Sequence, residues 1–491
     1  MRTSRPARAR ALVPVALVVA LLAPLGASGA PGAPGAPGAS ARVPERPGTA
    51  STGSSGIGDP YFPRDGNGGY DVAHYSVRDS YDQATGLLVG STTLTATATQ
   101  RLSRFNLDLM LPVRSVRVDG ARAEVVRQGA HEVVVRPDRP IAAGAEMRVV
   151  VAYAGKPGAL AYLGEKNWLD DGLETVTMNE PHMATWWFAA NDHPADKATF
   201  DVRITAQADR TVVSNGELVG RRAAGDGTAT THWRAIEPMA TYLAFFALGR
   251  YQVRTGVQDG LPYYVAVSRE LTKAQRTKAM GELMRTPEIV SWLQAQVGDY
   301  PFSSTGGLTT SLEPGFALEN QTRPIYPVLG ADGLLTVVHE VAHQWFGDSV
   351  AVAGWRDIWL NEGLATHVEA RWTEAHGGES AQAWLERLYT QYADNPAFWK
   401  LRVDDPGPEH LFDTPVYLRG AMAAQALRTR IGEAAYLQVL RTWAQQRRGG
   451  NGSSAQFEAL AATVSGQDLA AFFDAWLRSP QPPARIAAHG F

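Results

Sequence analysis

Residues 334–348 read LLTVVHEVAHQWFGD, and the spacing inside this stretch points to a helix built around a metal. Val337, Val338, Val341 and Ala342 recur at helical intervals and predict one buried apolar side. His339 and His343 stand four residues apart, so a helix stacks their imidazoles on one face, where two ring nitrogens can share a zinc ion. Glu340 is turned about 100° from His339 on a wheel of 3.6 residues per turn. Its carboxylate therefore leaves the ligand face yet stays within reach of a water beside the metal. Taken alone, the same five residues would also suit a pair of hydrogen-bonded core histidines.

A third ligand follows His343 after eighteen intervening residues. The run WRDIWLNEGLATHVEARW, at 355–372, predicts a second helix with Trp359, Leu360 and Leu364 on its apolar side and Glu362 available as a carboxylate ligand. His339, His343 and Glu362 leave one tetrahedral position open, as catalytic zinc sites do. Phe346 and Ser349 occupy the places where the metzincin pattern demands Gly and His, which excludes that class.

HEVAHQWFGD, with Glu362 inside WLNEGLA, closely resembles the aminopeptidase N family of gluzincin zinc metallopeptidases. Four more segments carry the resemblance in the family's order: NDHPADKATF at 191–200, ATYLAFFALG at 240–249, EPGFALEN at 313–320 and VYLRGA at 416–421. The resemblance implies a thermolysin-like catalytic domain and removal of single residues from the free amino end of peptides. It implies one zinc ion on His339, His343 and Glu362, with Glu340 as the general base. Tyr417 would donate its phenolic proton to the oxyanion. Glu319 and Glu180 would hold the substrate's ammonium group, and the backbone of Ala317 and Leu318 would pair with the substrate as an added strand. Asp348, Asp357 and Asn361 are the candidates for orienting the zinc histidines. Phe316, directly after Gly315, departs from the family's Gly and implies a reshaped first pocket. Only 74 residues follow Tyr417, which leaves no room for the extra C-terminal helical repeat domain of many relatives.

Outward from these motifs, the chain changes character near residue 250. Phe105, Leu107 and Leu109 alternate with polar neighbours, as do Phe200, Val202 and Ile204, and short valine runs end in Gly, Pro or Asp. Residues 59–250 thus read as an N-terminal antiparallel β-sandwich or saddle domain. Residues 251–491 open with a strand and continue as a mostly helical catalytic domain, with helices expected at 271–297, 381–394, 420–430 and 455–464. At the other end, Arg2, Arg5, Arg8 and Arg10 precede an apolar run and the small residues ASGA, so residues 1–30 are expected to be a cleaved secretory signal peptide. Residues 31–58, rich in Pro, Gly and Ser, are expected to form a disordered tether. The protein is accordingly expected to be secreted, without stable membrane insertion.

The 491 residues carry a formal charge of −3, or −7 once the four leader arginines are removed, and no basic run that would suit nucleic acid. No cysteine is present, which excludes disulfides, thiolate metal sites and cysteine catalysis. Two other readings use the same motifs: a thermolysin-like endopeptidase, and a secreted peptide-binding protein that has lost turnover. An endopeptidase has no use for an amine clamp, so Glu319 and Glu180 weigh against it, and the complete ligand and catalytic set weighs against the silent binder.

Overall fold

The computed structural model describes residues 51–165 and 167–491. The signal peptide and most of the tether expected before residue 59 lie outside them. Within the described chain, order begins earlier than that boundary. Ser51–Thr52 runs parallel to Leu102–Asp108, with Ser51 N–H donating to Arg101 O at 2.9 Å and Gly53 N–H to Arg104 O at 2.9 Å. Backbone hydrogen bonds to a neighbouring strand, which composition does not report, hold this segment in place.

The N-terminal half is β-rich. Its largest sheet has eight strands, with Glu217–Ala223, Thr228–Met239, Ala198–Gln207, Tyr70–Asp82, Leu87–Ala98, Glu146–Gly155, Val113–Val118 and Ala121–Arg122 in spatial order. The sheet is mixed rather than wholly antiparallel, because Tyr70–Asp82 and Ala198–Gln207 lie parallel at its centre. That pairing needs a long connection, which residues 83–197 supply by way of other strands of this sheet and of a second, four-stranded sheet. The second sheet holds Ser51–Thr52, Leu102–Asp108, Glu132–Arg136 and Glu124–Gln128 in spatial order. Alternation places Tyr75, Val77 and Tyr81 on one face, with Phe200, Val202 and Ile204 beside them, all at most 3% exposed. They share a core with Phe105, Leu107, Val133 and Val135 of the second sheet.

Tyr251–Gln258 and Leu261–Ser268 open a third sheet, which continues through Thr305–Thr309 to Ile325–Tyr326. Two helices, Lys273–Leu283 (α1) and Thr286–Val297 (α2), lie between the second and third of these strands, and beyond the sheet the chain is mainly helical: Gly333–His343 (α3), Trp359–Ala375 (α4), Ala381–Tyr392 (α5), Pro396–Lys400 (α6), Thr414–Ile431 (α7), Glu433–Gln446 (α8) and Ser454–Ser465 (α9). The single helix expected over 271–297 is two, since Pro287 cannot continue α1 but suits the first turn of α2. α7 begins six residues before the expected Gly420, with Pro415 in its first turn. Among the described residues no helix is long and apolar enough to cross a membrane.

Candidate active site

α3 and α4 bring the three predicted ligands together. Glu362 Oε2 lies 3.2 Å from His339 Nε2 and 3.5 Å from His343 Nε2. Ligands on a tetrahedral ion with bonds of about 2.0–2.2 Å stand about 3.3–3.6 Å apart, so this donor set fits zinc. Each histidine is fixed through its other nitrogen: His339 Nδ1 contacts Glu369 Oε1 at 2.7 Å, and His343 Nδ1 lies 3.0 Å from the carbonyl of Phe346. These contacts correct the expectation for Asp348, Asp357 and Asn361. None bonds either ring; Asp357, for instance, accepts the backbone N–H of Ser454 at 2.8 Å and so secures the start of α9.

The nine residues given a ligand, catalytic or substrate-binding role from the sequence line one cavity of about 430 Å³, together with Glu369 and with Phe316 and Phe412 at its mouth. Tyr417 reaches it from α7, its ring 6.1 Å from that of His339 and nearly parallel. α4 and α7 cross with bare backbone in contact: a Cβ on Gly363 would meet Gly420 Cα at 2.9 Å. This contact falls one residue after Glu362 and three after Tyr417, and it sets how closely those two side chains approach.

Glu319 enters from the loop before Ile325–Tyr326. Leu318 and Ile325 exchange both backbone hydrogen bonds, at 2.9 and 2.8 Å, so residues 317–318 extend the third sheet along the cavity wall. Gln344, directly after His343, donates to Glu319 O at 2.9 Å and accepts Thr322 N–H at 2.7 Å. α3 thereby anchors the loop, including the positive φ of 68° at Thr322, a strained conformation for a β-branched residue. Tyr242, which the sequence reading did not single out, donates its hydroxyl to Glu319 Oε1 at 2.9 Å. Glu180 comes from the β-rich half, with Oε1 enclosed and without a hydrogen-bond partner among the described residues.

Five carboxylates therefore crowd one cleft: Glu180, Glu319, Glu340, Glu362 and Glu369. Burial, then the charge of Glu319, pushes Glu180 well above the usual carboxylate range. Burial also raises Glu319, and it raises Glu340 to about 8 against the pull of His339 and His343. Glu362 behaves oppositely: although burial pushes it up, the charge of His343 and hydrogen bonds from both histidines hold it at about 2. Tyr417 is lifted well above its ordinary value by burial and then by Glu362, so its phenol keeps its proton. The arrangement calls for positive charge at two places, between the ligands and between Glu180 and Glu319.

A β-rich domain set on a helical one, with a His-His-Glu donor set and a neighbouring glutamate, defines a two-domain metallopeptidase of the HExxH type. Residues 74–243 match the peptidase M1 N-terminal domain and residues 331–476 the peptidase family M1 domain. The M1 zinc metallopeptidase from Deinococcus radiodurans is 30% identical, with a TM-score of 0.79 over 87% of this chain and 99% of that one. A mutant of the Deinococcus radiodurans enzyme bound to a Tyr-Ser-Ala substrate gives a TM-score of 0.78 at 30% identity, over 88% of this chain and 100% of that one. The chain belongs to peptidase family M1. Aminopeptidase N of Streptomyces lividans is 26% identical over 346 residues, 63% of this chain and 38% of that protein. Endoplasmic reticulum aminopeptidase 1 of Rattus norvegicus is 27% identical over 318 residues, 60% of this chain and 33% of that protein. The chain thus spans about two fifths of the length of the first curated relatives it matches.

Proposed function

We propose that this protein is a secreted zinc aminopeptidase that hydrolyses the first peptide bond of substrates with a free amino end. The observation that carries the reading is the pair Glu180 and Glu319 in the same cavity as the ligand set. A protonated amine between them would offset two buried carboxylates and donate the hydrogen bond that Glu180 Oε1 lacks. A blocked amino end would leave both uncompensated, which favours an exopeptidase over a thermolysin-like endopeptidase. Secretion rests on the leader-like order of residues 1–30.

His339 Nε2, His343 Nε2 and Glu362 Oε2 would hold one zinc ion, which when bound polarises a carbonyl and makes a water acidic. Glu340 takes the proton from the attacking water on its carboxylate and delivers it to the departing nitrogen. The Tyr417 hydroxyl donates to the carbonyl oxygen as charge builds there, at no cost of an added charge in the resting site. The backbone N–H of Leu318 is taken up by Ile325, which corrects its expected pairing with substrate. The backbone groups of Ala317 beside it align the substrate as a further strand along the third sheet. Phe316 and Phe412, 42% and 41% exposed at the mouth, offer ring surface to apolar substrate side chains.

The test is a panel of free-amine aminoacyl fluorogenic amides and one acetylated peptide, each with and without a zinc chelator, on wild type and Glu319→Gln. Chelator-sensitive release from free amines alone, with KM raised in the variant, supports the reading. Cleavage of the acetylated peptide would transfer it to the endopeptidase class, and no turnover in zinc-loaded protein would leave a peptide binder.

A further inference from the structure

A second cluster of ligand-type side chains lies in the β-rich half, away from the cavity just described. Asp108 ends the strand Leu102–Asp108 and pairs directly across the ladder with Glu132, the first residue of Glu132–Arg136. His131 precedes Glu132, and the three residues are 0%, 3% and 2% exposed. One ligand atom from each lies within 4.8 Å of the others.

The hydrogen bonding of this cluster is one-sided. Asp108 Oδ2 accepts from Asn67 Nδ2 at 2.9 Å and from Asp192 N–H at 2.8 Å. Glu132 Oε2 accepts from Asn106 Nδ2 at 2.9 Å. The second oxygen of each carboxylate, Asp108 Oδ1 and Glu132 Oε1, is enclosed and has no partner among the described residues. Asp108 Oδ1 stands 3.8 Å from His131 Nε2, too far for a hydrogen bond and close to the separation of two ligands on one ion. The same nitrogen is within hydrogen-bond reach of the Arg64 carbonyl oxygen at 3.1 Å, a contact that a bound ion would replace, and Asp65 Oδ1 lies 3.9 Å away.

The Arg64 guanidinium acts on Glu132 from a distance but does not pair with either carboxylate. No Lys or Arg ion pair reaches Asp108 or Glu132 among the described residues. His182 faces Asp65 through Nε2 at 2.5 Å and Glu165 through Nδ1 at 2.9 Å, so both of its ring nitrogens are already engaged by other carboxylates. Two enclosed carboxylates with an open oxygen each, turned to an imidazole, are costly to keep charged unless a proton or a cation joins them.

We infer that Asp108, His131 and Glu132 form a second, structural metal site, which binds a divalent ion of the zinc class with the Arg64 carbonyl as a further oxygen donor. The imidazole favours a transition ion over calcium or magnesium. The ion would join the β-hairpin at 124–136 to the segment carrying Arg64 and Asp65. Through Asp108 Oδ2 and Asp192 N–H it would also steady the loop that follows Glu180.

The test counts ions on the full chain, stripped with chelator, reloaded with Zn²⁺ alone and desalted before elemental analysis. Wild type is expected to hold about two equivalents, with His131→Ala and Glu132→Gln each holding about one. The double variant His339→Ala/His343→Ala is expected to keep about one, lost when His131→Ala is added, so the two sites are read separately. Zn²⁺ should also raise the melting temperature of that double variant. Saturation of wild type at one equivalent overturns the inference even if a variant fails to fold, as does a second equivalent that survives both His131→Ala and Glu132→Gln.

Discussion

The 2.7 Å contact between His339 Nδ1 and Glu369 Oε1 leaves Nε2 as the nitrogen turned toward Glu362. Glu369 thus holds the ring at the angle the donor set requires and raises its basicity. Glu369→Gln keeps the shape but removes the charge, and zinc affinity should fall about 10–100-fold. Competition against a chelating dye checks this; unchanged affinity would show the contact to be incidental. His339, Glu340, His343 and Glu362 were legible because four residues of two metal-site types at fixed intervals form a pattern that chance seldom supplies. Glu369 was not, although it sits two turns after Glu362 on the same face of α4, because one more glutamate on a helix has no signature. Asp348, Asp357 and Asn361 looked suitable through nearness along the chain, which does not say where a side chain points.

α4 does more than present Glu362. His367, buried on the same helix, is held between its neighbours: Tyr436 of α8 donates its hydroxyl to Nδ1 at 2.8 Å, and Nε2–H donates to Gln425 Oε1 of α7 at 3.0 Å. Burial, then the charge of Arg371, lowers the His367 pKa to about 3, so the folded protein keeps it neutral. An unfolded histidine takes a proton below about 6.5. Between pH 6.5 and about 3 the unfolded chain therefore binds the extra proton, and stability drops by up to about 1.4 kcal/mol per pH unit on this account, while above pH 6.5 it is fully present. His367→Gln should lower stability at pH 7 yet flatten the acid limb, as read by denaturant midpoints from pH 7 to 4; parallel curves would refute the assignment. Element types were largely legible, since apolar periods of two and of 3.6 are strong. Their ends were less so: the break at Pro287 and the early start of α7 depend on local backbone chemistry that a periodic pattern averages over.

The two halves of the molecule are joined by polar contacts as much as by apolar ones. Lys197, from the strand-rich half, donates to the carbonyls of Asp348 at 2.6 Å and Ser349 at 2.8 Å, just beyond α3. Arg323 reaches back to Ser214 O at 2.6 Å, its guanidinium over the rings of Trp233 and Tyr264. Lys197→Met leaves those buried carbonyls without their donor and should cost about 1–3 kcal/mol. Fluorescence and circular dichroism should still report one coincident unfolding transition, shifted to lower denaturant; two separate transitions would show that the halves unfold independently. The change of character near residue 250 was visible in the sequence, but not the contacts across it, which join residues hundreds of positions apart. The described chain's first loop shows what such contacts entail. Tyr61 donates to Asp405 at 2.5 Å across 344 positions, and Trp355 N–H donates to Asp59 at 2.8 Å across 296. At about 5–20 residues per second, a ribosome needs roughly 20–70 s to make the stretch between Tyr61 and Asp405. Throughout that interval the beginning of the protein waits without its partner, so its clasp is among the last parts of the newborn chain to close.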